Sequence, residues 1–461
     1  MRRLCIAVLL AAAGVFLAPA AAWAHAELVS SDPGYGDRLS NPPAEVRLEF
    51  SGAMELTGAR ITLQRRDAGT VEALHPALAS PDRRLVSVPL PPRMPDGAYT
   101  MTWFFLGNDG HLMGGDVVFQ VGEPAAVAPA PQAAAALKRP SPVAVRAPKR
   151  PGRTLAVTTP QAIVRVVDYV SLAILIGGGF FLARVWPDGT GERRAQQLLW
   201  WALPASAAAT LLNFGLTAAG LRGAGALHAL DPSVMGAVLG TRFSRVMAIR
   251  AMFLGLGFVT LTMLRLGHDR AVRARWWQAL AGVAAGGVLL THALLGHASS
   301  EGPAARVALF VHLAGVAVWL GGLVYLAAVV LPRRRPEELR VLLPRFSALA
   351  FTAVSALVLA GAAMVLRVAP RVTELPQTGY GRVLLLKLGF VALLLASARQ
   401  ARTFTERRLV AGAIRMRPLL LAVGVELVLA VVILSSTAVL AGRVPPSTRP
   451  TANVASTLKG P

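Results

Sequence analysis

Eight apolar stretches, each close to the length of a membrane-crossing helix, fill the C-terminal two thirds of this chain and constrain its fold more than any other feature. They run at about 162–185, 199–221, 246–266, 276–297, 304–331, 345–367, 382–400 and 418–442. A helix needs roughly 20 apolar residues to cross the hydrocarbon core of a bilayer. Lipid offers a backbone no hydrogen-bond partner, so such stretches satisfy themselves as helices. The expectation is an all-α transmembrane bundle of eight helices. Hydrophobic residues make up 54% of the 461 positions, which agrees with the membrane class. The formal net charge is +23, from 47 Lys+Arg against 24 Asp+Glu. Its origin is visible in alternate loops, where Arg193-Arg194, Arg270, Arg273, Arg275, Arg333-Arg334-Arg335, Arg402, Arg407, Arg408, Arg415 and Arg417 concentrate. The positive-inside rule puts those loops, 186–198, 267–275, 332–344 and 401–417, on the cytoplasmic side. No nucleic-acid partner is needed to account for the charge.

The first residues agree with that orientation. Arg2 and Arg3 precede an apolar run from Leu4 to Leu17, and Ala22-Trp23-Ala24 has the small-x-small pattern of a cleavage site. Residues 1–24 read as a secretory signal, with His25 as the first residue of the mature chain. Cys5, the single cysteine, lies inside that signal, so the mature chain is expected to use neither disulfides nor thiol metal ligands. The expected location is the cytoplasmic (inner) membrane, multi-pass, with the N-terminal domain and a tail at 444–461 on the extracytoplasmic, periplasmic side.

Residues 25–122 have a different pattern. Val46–Phe50, Ala59–Leu63, Leu85–Leu90, Tyr99–Trp103 and Val117–Val121 alternate with period two. Turn signals at Asp32-Pro33-Gly34, Asp96-Gly97 and Asp109-Gly110 separate them. Short strands at this density predict an all-β sandwich. An Ala- and Pro-rich stretch at 123–160 reads as a linker without regular helix, followed by the membrane domain at 161–443.

The chemistry of the β-domain starts at its first residue. The α-amine and Nδ1 of an N-terminal histidine can chelate one metal, and nitrogen donors in a plane suit Cu(II) best. Asp109-Gly110-His111 adds a carboxylate and an imidazole on one tight turn. The run His25-Ala26-Glu27-Leu28, Ser31-Asp32-Pro33, Phe50-Ser51, Asp96 to Trp103, Asp109-Gly110-His111 and Gly114 resembles the CopC copper-binding family. That resemblance implies an immunoglobulin-like sandwich and Cu(II) ligation by His25, Asp109 and His111. A methionine-rich Cu(I) loop, present in some CopC proteins, is represented here only by Met54, with Met94 and Met113 elsewhere. His75 reads as a solvated loop histidine, and Cu(I) remains a second state to be accounted for.

Within the membrane domain the ionisable residues singled out are few: His292 and His297 at the outer end of the fourth stretch, His312 at the outer end of the fifth, Asp168 in the first and Glu426 in the eighth. Such residues face the protein interior because lipid penalises them. Asp168 is expected to snorkel to water, and Glu426 to pair with Lys387 or Arg382. His312, Gly315, Trp319 and Gly322 share one helical stripe, which reads as a packing face with a polar end. Met247, Met252, Met263 and Met364 are soft enough for Cu(I), although methionine in apolar helices more often packs. The segments His292 to His297, His312-Leu313-Ala314-Gly315, Val318 to Leu323, Phe346-Ser347 and Tyr380-Gly381-Arg382 with Leu384 to Leu388 resemble the CopD family. The order of the two resemblances matches CopC–CopD fusions.

The expected function is capture of Cu(II) outside the cytoplasmic membrane and passage of copper inward, with a periplasmic copper donor as a partner. Low-order ligation by His297, His312 and His292 would serve the membrane step. No phosphate-cradling loop and no Asp-Lys-Thr-Gly phosphorylation loop occurs, so no ATPase and no enzyme activity is expected. Two other readings compete. Histidines at matched depth on facing helices can hold b-type haem for electron transfer. An N-terminal histidine site can also activate oxygen, against which the added Asp109 carboxylate argues.

Overall fold

The computed structural model describes residues 28–50, 52–66, 71–107, 110, 112–122, 155–295, 302–333, 335–368, 376–377, 379–410 and 416–440. Among the described residues nine strands form the β-domain: β1 (Leu28–Asp32), β2 (Arg38–Leu39), β3 (Glu45–Phe50), β4 (Met54–Arg65), β5 (Val71–Leu74), β6 (Ala77–Leu78), β7 (Leu85–Pro89), β8 (Gly97–Gly107) and β9 (Leu112–Val121). The period-two alternation becomes an inside and an outside. In β3, Val46, Leu48 and Phe50 are buried while Arg47 and Glu49 are exposed. In β8, Tyr99, Met101, Trp103 and Phe105 turn inward. Two sheets, ordered β1-β3-β7-β6 and β2-β9-β8-β4-β5, close over these side chains as a sandwich. All pairings are antiparallel except β2 with β9. Phe50 binds the sheets together, its ring 5.2 Å from Trp103 and 5.6 Å from Phe105. Burying each such side chain is worth about 1.5–3 kcal/mol. The Tyr99 hydroxyl donates back to the Pro95 carbonyl at 2.7 Å, the tyrosine corner found in immunoglobulin-like sandwiches. Met54, Met94 and Met113 all lie in this core, which occupies them in packing.

Among the described residues eight helices are long and apolar enough to cross a membrane, over ranges close to the expected stretches. They are α1 (Leu155–Leu172, continued through a π-helical turn at Ala173–Gly177 by Gly178–Arg184), α2 (Arg193–Arg222), α3 (Arg242–Arg273), α4 (Arg275–Leu294), α5 (Pro303–Tyr325, continued through Leu326–Val330), α6 (Pro336–Val368), α7 (Gly379–Val410) and α8 (Met416–Leu440). The first begins at Leu155, inside the stretch expected to be a helix-free linker up to 160. Pro160 lies inside that helix, one residue past its first five, and removes one of its backbone hydrogen bonds.

Helix α5 sits at the centre, against α1, α4, α6 and α8. Its crossing with α1 is made by two glycines. Gly177 faces the Ala317 carbonyl and Gly321, and Gly321 faces the Ala173 carbonyl in return, with no room for a side chain at either. The stripe from His312 through Gly315 to Gly322 is a packing face toward α6. Gly315 closes on Ala353 and Leu357, and Gly322 on Phe346. Helix α6 leans on α5 and α7 on α8, which leaves α6 and α7 at the periphery.

The β-domain docks on the ends of α2, α3 and α4. Phe104, Leu106 and Leu112 pack against Ala218, Leu221, Ala237, Val238, Phe243, Met247 and Leu295. Gly58, at φ +75°, comes against the Ala237 carbonyl. Both charged contacts complement helix dipoles. The Glu55 carboxylate accepts the backbone N–H of Arg242, first residue of α3, at 2.9 and 3.1 Å. The Arg60 guanidinium donates to the Arg222 carbonyl at the end of α2.

Candidate functional site

A cavity of about 740 Å³ opens among the helices beneath the β-domain. Its walls are mostly apolar, with polar groups from several helices. Helix α1 contributes Arg165, Asp168 and Tyr169, α2 Thr210 and Asn213, α3 Arg250, α4 Thr291 and His292, α5 His312, and α7 Lys387. Its rim includes Gly110 and Leu112, from the turn between β8 and β9. Gly110 holds φ +81° and donates its N–H to the Gly107 carbonyl at 2.9 Å. A side chain there would press on Phe243 and Leu295, so glycine permits both the turn and its close approach to the helices.

The polar centre of the cavity wall is a buried ion pair. Asp168 is 8% exposed and Arg250 2%. One guanidinium nitrogen of Arg250 donates to both carboxylate oxygens of Asp168 at 2.7 Å. Its Nε donates to Thr210 at 2.9 Å, and its other terminal nitrogen to Thr291 at 3.3 Å. Ser206 donates to Asp168 at 2.9 Å. Two desolvated charges cost several kcal/mol each unless pairing and hydrogen bonds satisfy them, and this cluster supplies both. Asp168 therefore does not snorkel to water. A cation on a neighbouring helix makes the interior its better environment. Arg250 was the missing partner, legible in principle as an arginine inside the third apolar stretch.

The two histidines that line the cavity play different parts. His292 Nε2 lies 2.7 Å from an Arg250 terminal nitrogen. The same Nε2 lies 3.3 Å from Asp168 Oδ2, so the ion pair engages it in either tautomer: bare Nε2 accepts from the guanidinium, and Nε2–H donates to the carboxylate. His312 Nδ1 lies 3.0 Å from the Leu357 carbonyl. A carbonyl only accepts, so Nδ1 carries the proton and Nε2 keeps its lone pair. Among the described residues Nε2 has no partner. A backbone carbonyl holding one ring nitrogen while the other is free is the arrangement that presents an imidazole to a metal. Gly361 makes room for the ring, since a methyl there would come within 3.3 Å of it.

His25, Asp109, His111 and His297 lie outside the described residues. Among the described residues no group of three His, Cys, Asp or Glu is placed to hold a metal ion. Met247 and Met364 line the cavity, whereas Met252 and Met263 are exposed on the outside of the bundle. Glu426 is buried, and among the described residues it makes no ion pair with Lys387 or Arg382. His75 is exposed, as expected of a loop histidine.

Fold and site together define a multi-pass membrane protein whose extramembrane β-sandwich sits over a cavity within its helices. Residues 28–122 match the CopC domain family, 156–307 the copper resistance protein D-like N-terminal domain, and 340–440 copper resistance protein D. The chain is thus a copper-resistance-type fusion, a CopC domain followed by a CopD membrane region. It is 26% identical over 413 residues to the copper transport protein CutJ of Bacillus subtilis (strain 168), covering 86% of this chain and 72% of that protein. Among solved structures it is similar to CopC from Methylosinus trichosporium OB3b, at 23% identity over 23% of this chain and 100% of that one, with a TM-score of 0.21. It is also similar to PcoC, a methionine-rich copper resistance protein from Escherichia coli, at 25% identity over 21% of this chain and 99% of that one, with a TM-score of 0.19.

Proposed function

We propose that this chain captures Cu(II) outside the cytoplasmic membrane on its β-domain and delivers copper through the helical cavity toward the cytoplasm. His25, through its amine and ring, Asp109 and His111 form the capture site. His312 is the first contact in the membrane, and His297 is a further proposed ligand there. The observation that carries the reading is that the β8–β9 turn forms part of the cavity rim: Gly110, between the proposed ligands Asp109 and His111, lines the same cavity as His312.

The register of the sandwich supports the capture site. His25 precedes β1 by three residues. Leu28, the first residue of β1, pairs with Phe50. The Phe50 ring meets Phe105, which pairs with Met113 next to the β8–β9 turn. The start of β1 and that turn therefore share one end of the sandwich. The β-domain also docks on the ends of α2, α3 and α4 opposite the Arg-rich loops, which agrees with an exported β-domain and a cytoplasmic exit. His292 has a structural part in this reading, since its Nε2 serves Arg250. The haem alternative rests on His297 and His312, and His297 lies outside the described residues. The imidazole of His312 binds either copper state, so no reduction is required at entry.

Two measurements test it. Mature protein should begin at His25, and one residue added before it should weaken Cu(II) binding strongly, because the amine ligand moves away. A start at another residue would remove the proposed site. At matched protein level, His312→Ala should lower cellular copper while β-domain Cu(II) affinity stays unchanged. Insertion should be near normal, since an interhelical hydrogen bond is worth about 0.6 kcal/mol on average. Undiminished copper in the His312→Ala cells would put the route elsewhere.

A further inference from the structure

We propose that the cavity takes copper as a small carboxylate chelate of neutral or negative overall charge, rather than as a bare cation. The inference rests on the reading above only in taking copper as the cargo and the cavity as its path. Three features of the wall support it.

The first is charge. Arg165, Asp168, Arg250 and Lys387 are the charged residues among the described lining. Asp168 and Arg250 neutralise each other in a 2.7 Å pair. That leaves Arg165 and Lys387 as two cations, and among the described residues neither has a carboxylate or hydrogen-bond partner. In a largely apolar wall such charges repel a bare metal cation with little screening. They attract an anion for the same reason. The one carboxylate on the described wall is already taken up by Arg250, Ser206 and the nearby His292 Nε2 and is not available to a cation.

The second is size. A cavity of about 740 Å³ falls in the range that encloses an organic ligand. A single ion would leave most of it empty.

The third is the inventory of unused polar atoms. His312 Nε2 offers a lone pair to a metal. The Asn213 side-chain oxygen is buried and lacks a hydrogen-bond partner among the described residues. Together with Arg165 and Lys387 these supply one metal contact, two carboxylate contacts and one acceptor for a ligand hydroxyl or amine. Binding is then a ligand exchange. A water leaves the copper, His312 Nε2 takes its place, and the oxidation state is unchanged.

The test uses full-length protein in liposomes, with radioactive copper supplied either as the Cu(II)–citrate complex or as the cationic bis(ethylenediamine) complex. Uptake from citrate should exceed uptake from the cationic complex, and metal-free citrate should compete. Lys387→Gln and Arg165→Gln should each lower citrate-supported uptake by about tenfold, the loss of one charge-assisted hydrogen bond. Lys387→Arg should restore it, and β-domain Cu(II) affinity should not change in any of them. Equal uptake from both complexes, or wild-type uptake in Lys387→Gln, would overturn the inference. So would an anionic phospholipid that co-purifies in the cavity and is not displaced by citrate. Loss of uptake from both complexes in the wild type would instead count against the copper route. The cavity would then be judged by citrate-induced thermal stabilisation, which should be present in the wild type and absent in Lys387→Gln, and whose absence in the wild type would overturn the inference by itself.

Discussion

Arg250 holds more of the membrane region together than any residue with a direct claim to metal binding. It joins Asp168 of α1, Thr210 of α2, and Thr291 and His292 of α4 to its own helix α3. Removing one member of a buried pair strands the other charge, at a cost of about 3–5 kcal/mol, whereas removing both is milder. Asp168→Asn should therefore lower the melting temperature of the detergent-solubilised protein markedly. Asp168→Asn combined with Arg250→Met should recover part of that loss. A double variant that melts below Asp168→Asn would show that the arginine contributes mainly through Thr210, Thr291 and His292. His312 should behave in the opposite way, with little effect on melting, because among the described residues its one hydrogen bond is to the Leu357 carbonyl.

At the level of elements, a helix crossing without side chains, that of α1 and α5, decides the packing. Small residues let helices approach closely in lipid, where no hydrophobic effect drives association. Gly177 and Gly321 are such a pair, each against the other's backbone. Gly321→Val should destabilise the bundle by about 1–3 kcal/mol or prevent folding, as overpacking does. Gly255, with open space around it, is the control: Gly255→Ala should leave melting unchanged or raise it slightly. Thermal denaturation followed by size-exclusion chromatography compares the two. The docking of β4 is a second element-scale device, with Glu55 at the start of α3 and Arg60 at the end of α2. The exposed Arg60 contact is worth about 0.3–1 kcal/mol and the buried Glu55 contact up to about 2 kcal/mol, so neither charge alone should hold the domain.

For the whole molecule the consequence is a test of docking. Gly58 meets the Ala237 carbonyl in a left-handed conformation, so Gly58→Val introduces both strain and a clash at the domain junction. That substitution, combined with Glu55→Gln, should open the junction to proteolysis and lower copper accumulation. The isolated Cu(II) affinity of the β-domain should stay constant, because neither residue belongs to its core or its proposed ligands. Unaltered copper accumulation with a demonstrably undocked domain would show that the β8–β9 turn does not feed the cavity.

Sequence alone determined the two architectures and their order. Period two and period 3.6 are local signals, written by whichever solvent each side chain must face, so the strands of the sandwich and the eight apolar stretches were legible before any contact was known. The ends of α1 were less so, because Pro160 inside a helix and Pro in a linker have the same local signature. Candidate site residues were legible as types, and His312 came from depth alone. What the sequence could not decide was partnership. Asp168 and Arg250 are separated by a whole helix and its loops, and only their meeting in space turns two expensive buried charges into one neutral cluster. The roles of His292 and His312 separate for the same reason. One ring nitrogen faces a donor and the other histidine faces a carbonyl, and that difference exists only once α3, α4, α5 and α6 are packed. The cavity itself, with Gly110 on its rim and two cations on its wall that have no carboxylate partner among the described residues, is a property of how helices from both ends of the chain enclose a space, which no stretch of sequence contains.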